Sequence, residues 1–201
     1  MFEELKEKGA LAQKAARRLA TLDTDTKNAA LKAIAEAILE REPEIVAANG
    51  KDLEVGSQAG LSEAMLERLL LNRQRLEGIA SDVLTVAGLP DPVGEMFDAR
   101  TLPNGLRIGR RRVPVGVIGV IYESRPNVTV DIATLCLKSG NAAILRGGKE
   151  ATHSNRELAH AVARGAQTCG IPEAAVQLIE SQDRALVKDM LTANQYINMI
   201  I

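Results

Sequence analysis

The second half of this sequence alternates short apolar runs with segments of helical length, and this alternation restricts the fold more than any other feature. The run VPVGVIGVIY, residues 113–122, is continuously apolar, as expected of a strand that is buried on both faces. The runs AAIL, AVQLIE and YINMII follow, each separated from the one before by an amphipathic stretch. Strands that alternate with helices in this way predict a parallel sheet with right-handed crossovers.

The first ninety residues have a different pattern, in which apolar side chains recur at helical spacing. Residues 31–39 carry one such stripe and residues 65–83 carry another. Between them, Pro43 can open a short helix, and Asn49-Gly50 can close it. This part of the chain is therefore predicted to be helical.

Glycines and prolines in GLPDPVGEM, residues 88–96, mark the best candidate boundary in the chain. Short alternating runs then flank Pro103-Asn104-Gly105, a pattern typical of a hairpin turn. We expect an α/β fold in three parts. These are an N-terminal helical part over 1–95, a β-hairpin arm over 96–112, and a Rossmann-like parallel sheet with crossover helices over 113–201.

Charge and composition argue against several classes of partner. The formal net charge is −1 and aromatic residues make up 2% of the chain, so binding to nucleic acid is not expected. Arg110, Arg111 and Arg112 leave a nucleic-acid patch as the alternative, although a solvated strand or a subunit contact is favoured. No apolar run approaches the roughly 20 residues of a membrane span, and the charged N-terminus has no signal-peptide core.

The cysteine and histidine content argues against a disulfide framework and against a metal site. Cys136 and Cys169 are the two cysteines, and neither belongs to a Cys/His cluster with metal-ligand spacing. His153 and His160 are interpreted as surface or helix-face residues. A reducing compartment is favoured, and we expect a cytoplasmic protein with no membrane partner.

The loop after the second apolar run, RGGKEATHSN, combines two cations with two glycines. Arg146 and Lys149 supply positive charge, and Gly147 and Gly148 permit positive φ and a close approach of backbone to a ligand. The next helix adds unpaired N–H groups at its N-terminus. These elements suit a phosphorylated ligand, while a plain strand-to-helix turn with solvated cations is the alternative. The usual dinucleotide and P-loop motifs are absent.

The loop after the first apolar run, YESRPN, places four polar side chains within five positions. Arg125 can hold a carboxylate or phosphate through two parallel hydrogen bonds, and the Asn127 amide can donate to a developing oxyanion. Alternatively, Asn127 caps the next helix and Arg125 pairs with a surface acid.

The segment RRVPVGVIGVIYESRPNVTVDIATLCLKSGNAAILRGGKEATHSN, residues 111–155, closely resembles the γ-glutamyl phosphate reductases, also called glutamate-5-semialdehyde dehydrogenases. This family lies within the aldehyde dehydrogenase superfamily, and weaker similarity extends along essentially the whole chain. The resemblance implies NADPH-dependent reduction of L-glutamyl 5-phosphate to L-glutamate 5-semialdehyde and phosphate, the second step of proline biosynthesis. A cysteine thiolate attacks the acyl phosphate in such enzymes.

Site residues follow from the resemblance position by position. Arg146 stands where the superfamily has a lysine near the adenine ribose, and Lys149 stands where NAD-preferring relatives often have a glutamate, which favours NADP(H). Asn127 resembles the asparagine of the oxyanion hole. Ser124 and Arg125 are expected to bind substrate, although no superfamily residue matches Arg125. The hairpin joins subunits in the family, so a homo-oligomer is expected, as is functional coupling to glutamate 5-kinase.

The chain departs from the family in one important respect. Family members are considerably longer, and their nucleophilic cysteine lies in a second α/β domain. Neither Cys136 nor Cys169 matches that position, and both are expected to be inert. We therefore expect the chain to end before the catalytic domain, and the alternative function is that of a non-catalytic NADP-binding fragment. Met1, followed directly by reductase-like helices, argues against fusion to a preceding kinase domain.

Overall fold

The computed structural model describes residues 1–201 and contains an α/β fold with a helical first half. The elements are α1 (Glu3–Leu19), α2 (Thr24–Glu40), α3 (Glu42–Gln58), α4 (Glu63–Leu69), α5 (Arg73–Gly88), β1 (Met96–Thr101), β2 (Arg107–Arg111), β3 (Val117–Ile121), α6 (Asn127–Lys138), β4 (Ala142–Arg146), α7 (Thr152–Gln167), β5 (Val176–Leu178), α8 (Ala185–Thr192) and β6 (Met199–Ile200). The predicted fold class is confirmed. No helix is long and apolar enough to cross a lipid bilayer.

The four strands of the main sheet are parallel and lie in the order β5-β4-β3-β6. The chain therefore moves outward from β3 to β5 and then returns to the other side of β3 at β6. Strand order reverses at β3, and open α/β sheets bind ligands at such a point, beyond the carboxyl ends of the strands. The YESRPN loop follows β3 directly.

Two of the predicted strands are shorter than their apolar runs. In AVQLIE only Val176–Leu178 pairs, and in YINMII only Met199–Ile200 pairs. Residues 173–175 form a 3₁₀ turn before β5, and Tyr196 and Ile197 hydrogen-bond back to Ala193 before β6. An apolar run therefore marks burial here more accurately than it marks strand length.

The helical first half packs on the second half through α1, α2, α3 and α5. α1 contacts β3, β4 and β5, whereas α2 contacts α5 and α7. α2 and α7 lie very close together at Gly165, where an added Cβ would lie 2.6 Å from the Ile34 Cα. One apolar cluster runs through both halves, and it includes Leu5, Ile34 and Ile144.

The prediction that Asn49-Gly50 closes the third helix is wrong. α3 continues to Gln58, and the buried Asn49 side chain makes tertiary contacts in place of a helix cap. Its amide donates to the Leu69 carbonyl at 2.7 Å and to the Ser154 hydroxyl at 3.0 Å, and its Oδ1 accepts from the Leu71 N–H at 2.8 Å. One side chain thus joins α3, the α4–α5 link and the start of α7.

A charged cluster fastens the segment after α5 to α2 and α6. Lys27 is 1% exposed and forms an ion pair with Asp91. Lys138 is also buried and donates to the Asn28 side chain and to the Ala87 carbonyl. Burial alone would raise the pKa of Asp91, but its contacts with Lys27, the Val93 N–H and the Thr24 hydroxyl outweigh burial and lower that pKa.

The hairpin predicted around Pro103-Asn104-Gly105 is present as the antiparallel pair β1–β2. Most of its residues are exposed. Arg112, just after β2, pairs with Glu95 at 2.5 Å and lies over the Phe97 ring, with its guanidinium carbon 5.3 Å from the ring centroid. The cationic side chains of this arm are thus partly satisfied within the hairpin itself.

Candidate functional site

The two loops predicted to carry chemistry lie side by side. β3 and β4 are paired in register, with Ile121 opposite Arg146, and the Tyr122 N–H donates to the Arg146 carbonyl at 3.1 Å. Both loops therefore leave the sheet at the same edge, which is the edge where parallel sheets bind ligands.

Neighbouring side chains leave little room for a Cβ at Gly147 or Gly148, and the backbone conformation of both residues is ordinary. Neither has a positive φ, and Gly148 is extended at φ −63° and ψ 151°. A Cβ on Gly147 would overlap the Asn155 amide nitrogen, and one on Gly148 would lie 2.8 Å from a Glu150 carboxylate oxygen. The positive φ that glycine permits is not used at either position, and the close contacts here are with side chains of the protein itself.

The prediction that the N-terminus of α7 offers unpaired N–H groups is wrong in part. The Asp52 carboxylate, from α3, accepts from the His153 N–H at 3.1 Å and from the Ser154 N–H at 2.7 Å. It also accepts from the Ser154 hydroxyl at 2.6 Å, and both Asp52 and Ser154 are buried. A carboxylate of the protein therefore already satisfies the anion-binding end of this helix.

A shallow open cleft lies beside the two glycines. Its lining residues come from the ends of β4 and β5 and from the first turn of α7, and they are Gly147, Gly148, Thr152, Asn155, Arg156, Leu178, Ile179, Glu180 and Gln182. Arg156 is neutralised by Glu180 at 2.7 Å.

The predicted cations differ in their surroundings. The Arg146 Nη2 lies 3.5 Å from the Gln182 carbonyl, and its Nε is buried without a hydrogen-bond partner. Lys149 is exposed on a 3₁₀ turn and makes no ion pair. Neither residue lines the cleft, although they flank its two glycines in the chain. A buried donor with no acceptor and a free ammonium at the end of β4 fit an anionic ligand that carries phosphate.

The residues predicted to bind substrate and the residue predicted to stabilise the oxyanion line two neighbouring clefts. Ser124 and Arg125 line one cleft, and the Ser124 hydroxyl donates to Glu150 at 2.9 Å. Asn127, the first residue of α6, lines the other, and its amide donates to Asp131 at 2.9 Å. Burial raises the pKa of Asp131 even though this hydrogen bond opposes the shift.

A hydrogen-bonded chain of side chains connects the two loops beneath the surface. The Tyr122 hydroxyl lies 2.6 Å from the Thr129 hydroxyl, which in turn donates to the Asn155 Oδ1 at 3.0 Å. Burial raises the pKa of Tyr122 to about 12, so the phenol stays protonated and orients its neighbours without supplying charge. Asn155 is thereby fixed beside Gly147.

Neither cysteine lies in the two loops of the candidate site. Cys136 is buried in the apolar core, as predicted, and burial raises the pKa of its thiol to about 12. Cys169 is partly buried against the same core, beyond the end of α7. A thiolate is the reactive form, so Cys136 is unsuited to attack on an acyl group.

Sequence reasoning missed three residues that shape the site: Asp52, Glu150 and Arg68. Asp52 is 102 positions away from the Ser154 that it caps, so no local pattern could have identified it. Glu150 follows Lys149 in the RGGKEATHSN loop, so its position in the sequence could have identified it. Arg68 lines the clefts of both Arg125 and Asn127, yet it stands on a helix read as core.

Reversal of strand order beside β3, together with paired loops at the carboxyl edge of the sheet, defines an open α/β protein with the architecture of a ligand-binding domain. The sequence model of the aldehyde dehydrogenase family matches residues 3–201, and the chain belongs to that family. A probable aldehyde dehydrogenase from Listeria monocytogenes shares the fold at 16% identity, with a TM-score of 0.72 over 98% of this chain and 41% of its own.

The most specific similarity is to γ-glutamyl phosphate reductases, which confirms the predicted resemblance. The protein of that name from Roseiflexus castenholzii is 56% identical over 199 residues, which are 98% of this chain and 47% of the relative. The crystal structure of the Thermotoga maritima protein has a TM-score of 0.96 at 43% identity, covering 98% of this chain and 48% of its own. The Saccharomyces cerevisiae structure gives 0.89 at 36% identity, covering 100% and 51%. The chain spans about half the length of the relatives it matches.

Proposed function

We propose that this chain forms the cofactor-binding part of an NADPH-dependent enzyme that reduces L-glutamyl 5-phosphate to L-glutamate 5-semialdehyde and phosphate. The observation that carries the proposal is the 56% identity, over 98% of the chain, to a relative named γ-glutamyl phosphate reductase. This reaction would be the second step of proline biosynthesis.

The cofactor would be held at the carboxyl end of β4. Arg146, with its unpartnered Nε, and Lys149, with its free ammonium, would bind the phosphate-bearing ribose. Gly147 would keep the loop against Asn155, and Gly148 would keep it against Ser124. NADPH would supply the hydride. A cation in place of an acid at position 149 supports NADP over NAD, since a 2′-phosphate adds negative charge.

The substrate would lie beside the YESRPN loop. Ser124 and Arg125 would contact it, and Asn127 would donate to the oxyanion that forms when the acyl carbon is attacked. Because Asp131 occupies only one of the two amide N–H donors of Asn127, the other is available for that role. The Asp131 contact would orient the amide.

We assign the nucleophilic thiol to neither cysteine of this chain, because Cys136 is buried with a pKa of about 12 and Cys169 lies beyond the end of α7. Residues 1–201 by themselves are then a cofactor-binding fragment without turnover, which is the second candidate function. The test is phosphate-dependent reduction of NADP by glutamate 5-semialdehyde with this chain. No rate is expected, and a clear rate that Cys136→Ala or Cys169→Ala removes would overturn the assignment.

The cofactor assignment has its own experiment. Lys149→Glu should lower the preference of the chain for NADPH over NADH by about tenfold, the loss of one charge-assisted contact of roughly 1.4 kcal/mol. Fluorescence titration gives both dissociation constants, and Lys32→Glu, an exposed lysine on α2, is the matched control. An unchanged preference in Lys149→Glu would remove the support for NADP at this position.

The remaining parts of the proposal concern organisation. The chain would have three parts: a helical part over 1–95, an arm over 96–112 and an NADP-binding part over 113–201. The arm would join subunits of a homo-oligomer. Its exposed surface supports that role. Cytoplasmic location and coupling to glutamate 5-kinase, which makes the substrate, follow from the proposed reaction.

A further inference from the structure

A second cleft, of about 200 Å³, lies between α4 and the YESRPN loop. The lining residues are Met65, Arg68, Glu123, Ser124, Arg125 and Val128. Half of these six side chains are charged at neutral pH.

The three charged side chains of this cleft, those of Arg68, Glu123 and Arg125, are exposed, and none of them forms an ion pair or a side-chain hydrogen bond. Nearby Arg75 behaves differently, since it binds both the Glu67 side chain and the Leu70 carbonyl. Two free guanidinium groups and one free carboxylate therefore converge on one cleft.

The backbone that carries these charges is well anchored. The carbonyl of Leu69, next to Arg68, accepts from the buried Asn49 amide at 2.7 Å. On the other wall, the Ser124 hydroxyl is bonded to Glu150, and buried Pro126 fixes the end of the loop. Charges on a fixed frame lose less entropy on binding than charges on a mobile loop.

We propose that this cleft recognises the amino-acid end of the substrate, with Arg68 binding the α-carboxylate and Glu123 binding the α-ammonium group. The inference rests on the proposed function, whose substrate carries a carboxylate, an ammonium and a phosphate. The two arginines and the glutamate match those charges in number and sign. Arg68 also borders the cleft of Asn127, so the amino-acid end would lie within reach of the reacting carbonyl.

Three stable phosphonates separate the contributions of the substrate groups. L-2-Amino-6-phosphonohexanoate carries all three charged groups, 6-phosphonohexanoate lacks the amine, and 5-aminopentylphosphonate lacks the carboxylate. Their dissociation constants for the 201-residue chain are measured by calorimetric titration. Arg68→Gln should weaken the two carboxylate-bearing probes about tenfold and leave 5-aminopentylphosphonate within twofold. Glu123→Gln should weaken only the two probes that carry an amine.

Arg164→Gln provides the matched control, because Arg164 is an exposed arginine on α7 that makes no ion pair. Circular dichroism verifies the fold of each variant, and Arg68→Lys should retain part of the binding that Arg68→Gln loses. The proposal is overturned if Arg68→Gln weakens all three probes equally, if it matches Arg164→Gln, or if the unmodified chain binds none of the probes. NADPH titration of the same samples reports on the proposed function separately, since cofactor binding there is independent of the phosphonates.

Discussion

Replacement of Asp52 by alanine tests how the start of α7 is held beside the cofactor cleft. The Asp52 carboxylate accepts from two backbone N–H groups and from the Ser154 hydroxyl, and all of these contacts are buried or nearly so. Alanine removes the acceptor and leaves the donors in place. The first turn of α7 would then have to open toward water or stay unsatisfied.

The cost can be worked out from these contacts. Loss of a helix-capping side chain costs about 0.5–2 kcal/mol. A buried hydroxyl left without its acceptor costs roughly 1–3 kcal/mol more. We expect Asp52→Ala to lower the free energy of unfolding by about 3 kcal/mol, which for a chain of this length lowers Tm by roughly 6–12 °C.

Urea unfolding followed by circular dichroism measures this loss, and NADPH titration should show weaker binding because Thr152 and Asn155 line the cleft. Glu54→Ala is the matched control, since Glu54 lies on the same helix but is exposed. That variant should stay within about 0.5 kcal/mol of the unmodified chain. If Asp52→Ala also falls within that limit, the carboxylate does not hold α7 and the reasoning is refuted.

Further predictions concern packing, thiol chemistry and pH. Gly147→Ala should cost roughly 1–3 kcal/mol and weaken NADPH binding, whereas Gly50→Ala, with open space around it, should stabilise the chain by about 0.5–1 kcal/mol; equal effects on urea unfolding would contradict the packing argument. A chromogenic thiol reagent should modify Cys169 in the folded chain and Cys136 only after unfolding, so two native-state thiols would be the contrary result. The lowered pKa of Asp91 means that its stabilisation is complete above about pH 4 and is lost as pH falls through the folded-state pKa. Asp91→Asn should therefore flatten the acid limb of stability against pH, and an unchanged slope would count against the ion pair.

Much of the fold follows from local pattern, because burial and periodicity are local properties. The apolar run around β3, the helical stripe of α2 and the hairpin at Pro103-Asn104-Gly105 each encode their own conformation. The prediction that Asn49-Gly50 ends a helix failed for a physical reason. Asn49 resembles a helix stop, yet it remains inside α3 because its amide satisfies groups on α4 and α7 that no local rule includes.

The candidate site was only partly accessible from sequence. Two loops that follow neighbouring parallel strands must meet at one edge, so the approach of YESRPN to RGGK was predictable. That the Asp52 carboxylate caps the N-terminus of α7 could not be predicted, because this contact depends on how α3 packs against α7. Similarly, the need for glycine at position 147 arises from the Asn155 side chain and not from backbone strain.

The close approach of α2 and α7 at Gly165 has a consequence for how the molecule opens. Main-chain atoms of Ile34 fill the space that a side chain at position 165 would need, so neither helix can shift without the other. Amide hydrogens along both helices should then exchange with solvent together and more slowly than those elsewhere in the chain. The amides of the two-residue strand β6, at the sheet margin, should exchange sooner. The most persistent structure in this α/β protein would be a pair of helices joined across a glycine, with the sheet edge fraying first.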